Sequence, residues 1–424
     1  MSDRPSRIRV EPLAWTAGLL TVLVGCGGTE HAPAAVPEFD TGPLVAANAD
    51  LRTIDNSAPA WGDAARWTVG DTPTLELADS SAPFAGLAPV VRLSDGRLVV
   101  AVGSQQRIRI YDKTGKLLNT IGGRTAEEGA FHGLGWVGRG AVDTILAYDF
   151  VAQRLIAYDP TGKFVRSVHL DQLGEEVPAE PLGTYPDGSV LVRLGGARTP
   201  FIARPGTVVR DSAAYVRYRT DGFPLAILGA YPQGETFGVQ VHPNTPPSPF
   251  PVPYGLWTSA ALRSDTMLIG TGASFEIATI GPDGTPLGLL RAPIERAAIT
   301  REESEAYTAA ALTRLRGGAV SMQVELDSNF IKAIERAPFP ARKPAFGRLV
   351  VDQTGALWVS APLAQPNDPT EWTVFSPEGQ WLGSVTTPAG LRIDEIGKDY
   401  VLGVWRQTHG GEQVRSYPLS RGGS

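Results

Sequence analysis

Histidines and turn aspartates are the residues here that could hold a metal or move a proton. The chain has five histidines. His132 and His242 fall in connections between predicted strand groups, and imidazoles in such loops could hold zinc. They are the metal candidates, although their sequence positions define no distance between them. His31 lies in a polar N-terminal stretch, and His169 and His409 lie at strand ends or turns. Asp143, Asp265 and Asp352 sit near first-strand turns, where an aspartate ordinarily caps its own turn. A calcium cage needs a convergent set of acidic and amide side chains, and none is legible. No G-x-S-x-G elbow, phosphate-binding loop or H-E-x-x-H occurs. Arg92, Arg263 and Arg348 lie near innermost strands at different registers from their turns. Period-two alternation therefore puts them on different faces and predicts no basic ring. The reading leans to a non-enzyme with no catalytic residue and no cofactor.

Composition narrows the class further. The chain of 424 residues carries 48 glycines and 35 prolines, which suits many tight turns between short strands. Net charge is −6 with no long basic run, so a nucleic-acid partner is excluded. One cysteine rules out an intrachain disulfide and a cysteine-based zinc cluster.

The amino terminus reads as an address. Arg4, Arg7 and Arg9 precede an uncharged apolar run from Leu13 to Val24, short for a mature membrane anchor and suited to a signal-peptide core. It ends in Leu23-Val24-Gly25-Cys26, which resembles the bacterial lipobox, and the chain's one cysteine falls where that motif places the lipidated residue. The resemblance implies a signal peptide over residues 1–25 and lipidation of Cys26. Gly27, in place of aspartate, implies the outer membrane, facing periplasm or cell surface. Residues 26–65 read as a lipidated cysteine and flexible tether, with Trp61 docking on the domain.

A short phrase then recurs: Tyr111-Asp112-Lys113-Thr114-Gly115-Lys116 and Tyr158-Asp159-Pro160-Thr161-Gly162-Lys163, with looser copies at Gly222, Gly284 and Gly379. Apolar runs around the first copy predict four antiparallel strands, one propeller blade. Five such units and a sixth ending at Tyr417 predict an all-β, six-bladed β-propeller over residues 66–424. The sixth lacks its fourth strand, and Thr74 to Leu77 is the N-terminal strand expected to close the ring. Between blades 4 and 5 the spacing of turn glycines roughly doubles. Thr300-Arg301-Glu302-Glu303 predicts a capped helix stopped by Gly317-Gly318, and a second helix is predicted over 328–337. This helical insertion (about 299–338) is expected either to pack on the propeller side or to form a lid or partner surface.

Asp95-Gly96-Arg97-Leu98-Val99-Val100, Ile110-Tyr111-Asp112 with Gly115, and Thr120-Ile121-Gly122-Gly123-Arg124 running to Glu128-Gly129-Ala130-Phe131 resemble the NHL/TolB-like six-bladed β-propeller lipoproteins of bacteria. So do Pro344 to Asp352 and Ile396 to Gly403. The inter-blade glycine-rich loop lacks the family's usual proline. The resemblance implies fold and location, and no settled activity. Some NHL-type lyases hold zinc with loop histidines, which is why His132 and His242 are weighed. The leading expectation is a monomeric, membrane-anchored module binding a protein, peptide or glycan. The alternative is a metal-dependent hydrolase or lyase working at the channel mouth.

Overall fold

The structure is a computed structural model. It describes residues 44–45, 51–61, 67–78, 84–124, 129–171, 173, 178–195, 207–240, 246–322, 328–362, 368–406 and 411–422. Cys26, His31, His242 and His409 lie outside the described residues.

Three short strands come first: β1 (Arg52–Asp55), β2 (Thr68–Val69) and β3 (Leu75–Leu77). Six sheets follow in chain order. The first holds β4 (Val91–Arg92), β5 (Leu98–Val102), β6 (Arg107–Tyr111) and β7 (Leu117–Gly122). The second holds β8 (Leu134–Arg139), β9 (Ile145–Asp149), β10 (Arg154–Tyr158) and β11 (Phe164–His169). The third holds β12 (Ala179–Thr184), β13 (Val190–Gly195), β14 (Val208–Tyr218), β15 (Pro224–Val239) and β16 (Ser248–Pro251). The fourth holds β17 (Ser259–Arg263), β18 (Thr266–Gly270), β19 (Glu276–Ile280) and β20 (Pro286–Arg291), with β1 added on its edge. After helices α1 (Arg301–Met322) and α2 (Ser328–Glu335) come β21 (Leu349–Val351), β22 (Leu357–Ser360), β23 (Thr370–Phe375) and β24 (Trp381–Thr387). The sixth sheet holds β25 (Leu391–Ile396), β26 (Tyr400–Arg406) and β27 (Glu412–Ser420). The first strands of neighbouring sheets touch in the order β4, β8, β12, β17, β21, β25, and β25 touches β4. No helix among the described residues is long and apolar enough to cross a membrane.

The recurring phrase has a local cause. Asp112 accepts bonds from the Thr114 N–H (2.9 Å), the Thr114 hydroxyl (2.6 Å) and the Lys116 N–H (3.0 Å). Asp159 repeats the set with Thr161 and Lys163. These bonds hold both carboxyls below the ordinary range, the threonine hydroxyl contributing most. Gly115 and Gly162 close the turns at φ of 90° and 91°, a conformation that costs an L side chain strain. These two turns are thus held by bonds among neighbouring residues.

The strands β2 and β3 meet the C-terminal strand on the sixth sheet. Leu75–Leu77 pair antiparallel with Val414–Ser416, and Thr68–Val69 pair with Leu419 and Ser420. A tryptophan column then ties these strands to the fifth sheet. Ring centroids run from Trp61 to Trp67 (5.1 Å), Trp67 to Trp358 (5.8 Å) and Trp358 to Trp372 (6.4 Å). Arg421, near the other end, stands 4.1 Å over the Trp67 ring and bonds Asp352 at 2.8 Å.

The tether expected through Ala65 is corrected in its second half. Arg52–Asp55 pair in parallel with Gly288–Arg291, and Leu44, Val45 and Leu51 pack on the core between the third and fourth sheets. Ala60 and Trp61 donate backbone bonds to Trp381 and Leu382. Gly383 makes room for Trp61, since a Cβ there would come within 2.3 Å of the ring. The physical reason is edge coverage: an outer strand presents unpaired N–H and C=O groups, and this segment satisfies them on the fourth and fifth sheets.

The helices also differ from expectation. The Thr300 capping box is present, with Thr300 N–H to Glu303 at 3.0 Å and Glu303 N–H to Thr300 Oγ1 at 3.1 Å. Yet α1 continues through Gly317-Gly318 to Met322, because glycine costs a helix about 1 kcal/mol without forbidding it.

Candidate functional site

Two ends of the sheet ring differ in what they present. First-to-second and third-to-fourth strand turns share one end. The connections between sheets, and the second-to-third strand turns, share the other. The helices therefore rise from the connection end, as does the far end of the β14–β15 hairpin.

At that end the third sheet extends beyond the others. Val208–Arg210 pair with Phe237–Glu235, and β16 adds along Thr236–Val239. Val208, Phe237, Val239, Val252 and Ala337 form a small core of their own, with Phe250 and Ala333 against it. Phe250 meets Phe330 of α2 edge-on at 5.0 Å. Tyr254 meets Tyr307 of α1 at 5.4 Å, and Tyr307 meets Phe339 at 5.9 Å. Lys343 bonds Glu303 and stands over the Tyr254 ring at 5.5 Å. The helices thus pack on this extension of the third sheet.

Beside the extension stands Trp257, two residues before β17, with 46% of its surface exposed. Gly234 lies under its six-membered ring. The Arg193 guanidinium lies 5.6 Å from the ring centroid and pairs with Glu180 on the innermost strand β12. Deeper in, Glu235 is buried, accepts the Leu256 N–H at 2.9 Å, and sits in the field of Arg210 and Arg296. Burial raises its pKa above the ordinary glutamate value despite those partners. Arg210 bonds the Gln233 carbonyl at 2.8 Å and the Thr271 carbonyl at 3.0 Å. An exposed tryptophan flanked by a held arginine is the residue pair enriched in binding hot spots.

The metal candidates are not brought together. His132 is largely exposed, and its Nδ1 lies 3.8 Å from Asp149 Oδ2. Asp149 is otherwise spent on the N–H groups of His132, Val151 and Ala152. Burial raises its pKa, but those bonds outweigh it and hold the carboxyl below its ordinary value. His242 lies outside the described residues, and His169 ends β11 on an outer strand. Asp352 caps its own turn through Thr354 and Ala356 and bonds Trp358 Nε1 at 3.0 Å. Asp143 receives the Ser94 N–H and hydroxyl. Among the described residues no three His, Cys, Asp or Glu side chains cluster as a metal site requires.

Through the middle runs a cavity of about 1050 Å³, lined by first-strand residues of all six sheets and opening among the first-strand turns. Arg348 lines it, whereas Arg92 stacks on Tyr400 at 4.3 Å and Arg263 bonds the Pro377 carbonyl at 2.8 Å. The three arginines thus occupy separate places. Surrounding protein lowers the pKa of Arg348 and Asp394 partly offsets this, and the residue keeps exposed surface.

The resemblances to known proteins end at solved structures. No family model matches the chain, and no curated protein does. A member of the DUF4221 family from Bacteroides vulgatus aligns at 10% identity, covering 84% of this chain and 99% of its own, with a TM-score of 0.49. Virginiamycin B lyase from Staphylococcus aureus aligns at 8% identity over 84% of this chain and 99% of its own, TM-score 0.40. The calcium-binding protein regucalcin from Agrobacterium tumefaciens aligns at 10% identity over 83% and 96%, TM-score 0.42. What this chain does is carried by its own residues.

Sequence reasoning missed Trp257 and the extension of the third sheet. A tryptophan beside a strand is ordinarily core, and only the flanking Pro253 and Gly255 hinted otherwise.

Proposed function

We propose that this chain is a lipid-anchored, extracytoplasmic six-bladed β-propeller that binds a protein, peptide or glycan. The binding surface is the connection end, around Trp257 and the raised extension of the third sheet. The cyclic contact of the six first strands supports the ring. The pairing of β27 with β2 and β3 supports closure by the N-terminal strands, and the lipobox-like run before Cys26 supports the anchor. The observation that carries the reading is Trp257: a large ring left 46% exposed beside Arg193, two of the residue types that dominate binding hot spots.

Surface plasmon resonance tests it, with purified protein immobilised and solubilised envelope passed over it. Trp257→Ala is expected to weaken capture by about tenfold or more, the usual cost of a central aromatic contact. Metal analysis of metal-replete protein forms the second arm. Stoichiometric zinc or calcium that is lost in His132→Ala or His242→Ala contradicts a binding module and favours a metal-dependent hydrolase or lyase.

A further inference from the structure

We propose a second site at the opposite end of the channel, one that takes a small organic acid with its carboxylate on Arg348. The cavity there is of a size that encloses a drug-sized ligand. Its ionised lining is balanced in charge: Arg97, Arg139 and Arg348 against Asp143, Asp394 and Glu395.

The hydrogen bonding is not balanced. Asp143 is engaged by Ser94 through both N–H and hydroxyl. Asp394 receives Arg392 Nε at 3.0 Å, Arg392 Nη2 at 3.1 Å and the Val90 N–H at 3.0 Å. Glu395 receives the Arg92 N–H, the Gln353 amide and the Tyr400 hydroxyl. The acceptors are therefore spent. Among the cations, Arg97 is spent on Asp95 and the Pro160 carbonyl. Arg139 gives one bond, to the Arg92 carbonyl at 3.0 Å. Arg348 gives one side-chain bond among the described residues, to the Ile393 carbonyl at 3.1 Å. A guanidinium has five N–H donors in a planar fork. The carboxylate whose field Arg348 feels, Asp394, is paired to Arg392 instead.

What the cavity has left to offer is therefore positively charged donors. A charged donor bonds an anion more strongly than a neutral donor does. A carboxylate matches the guanidinium fork with two parallel bonds. Trp136, Leu182, Leu262 and Val351 supply apolar wall for the carbon part of the ligand, which favours an organic acid over an inorganic anion.

Ligand-observed fluorine NMR with 4-fluorobenzoate and the full-length protein in detergent tests this, with 4-fluorobenzamide as the neutral counterpart. Saturable broadening of the acid and none of the amide is expected. Arg348→Gln should weaken the acid by at least about tenfold. Arg348→Lys should fall between, since it keeps the charge and loses the fork. Arg263→Gln, outside the cavity, should bind as wild type does. Equal binding of acid and amide, no saturable binding, or an unaffected Arg348→Gln would each overturn the proposal. The acid–amide comparison on wild-type protein decides the matter even where a variant fails to fold.

Discussion

Trp358→Ala is expected to cost about 3–5 kcal/mol of stability, the range for deleting a fully buried large aromatic. Trp358 has no exposed surface, and its removal does more than open a cavity. Its Nε1 occupies Asp352 Oδ2, a carboxylate that also holds Arg421 near the C-terminus. Its ring touches Trp67, next to the strand that pairs with β27, and Trp372 within its own sheet. One substitution therefore loosens the N-terminal strands, the fifth sheet and the C-terminal strand together. Differential scanning calorimetry should register a fall in Tm of about 4–7 °C. Limited proteolysis should cut first among residues 44–78. A substitution of similar size away from this column, such as Tyr148→Ala in the core between the second and third sheets, should leave that segment protected. Equal cleavage in the two variants contradicts the view that the tryptophan column locks the ends.

Cys26→Ser should abolish incorporation of radiolabelled palmitate. Each buried CH₂ contributes about 0.8 kcal/mol, and one acyl chain alone binds a membrane only marginally. The diacylated cysteine implied by the lipobox resemblance supplies the two chains that stable anchoring takes. The variant should leave the membrane pellet for the soluble fraction. Continued labelling of Cys26→Ser would refute the lipobox reading.

The hairpin turns were legible because their chemistry is local: Asp112 and Gly115 are three residues apart and need nothing else. The strand Leu75–Leu77 was legible because Leu75 and Leu77 alternate and the sixth repeat lacked a partner, and it pairs with β27. β1 was not, for its four residues contain a single apolar side chain, Ile54, and it pairs in parallel with a strand far along the chain. A strand whose purpose is to cover a backbone edge needs no hydrophobic period. The extension of the third sheet was not legible. Pro232 and Gly234 resemble breakers, yet β15 runs on to Val239 with shifts of register. The site suffered more. Arg348 was seen as a residue near an innermost strand, but its nearby carboxylate, Asp394, is paired with Arg392, a contact on another sheet. Trp257 gave no periodic signal, and its exposure depends on Gly234 from the preceding sheet.

The most direct test of the binding reading is photo-crosslinking on intact cells. A benzoylphenylalanine replaces Trp257 in one strain and Leu118, exposed on the outer strand β7, in another. The account predicts a discrete adduct from position 257 and none from position 118. Adducts equal at the two positions, or from position 118 alone, would contradict it.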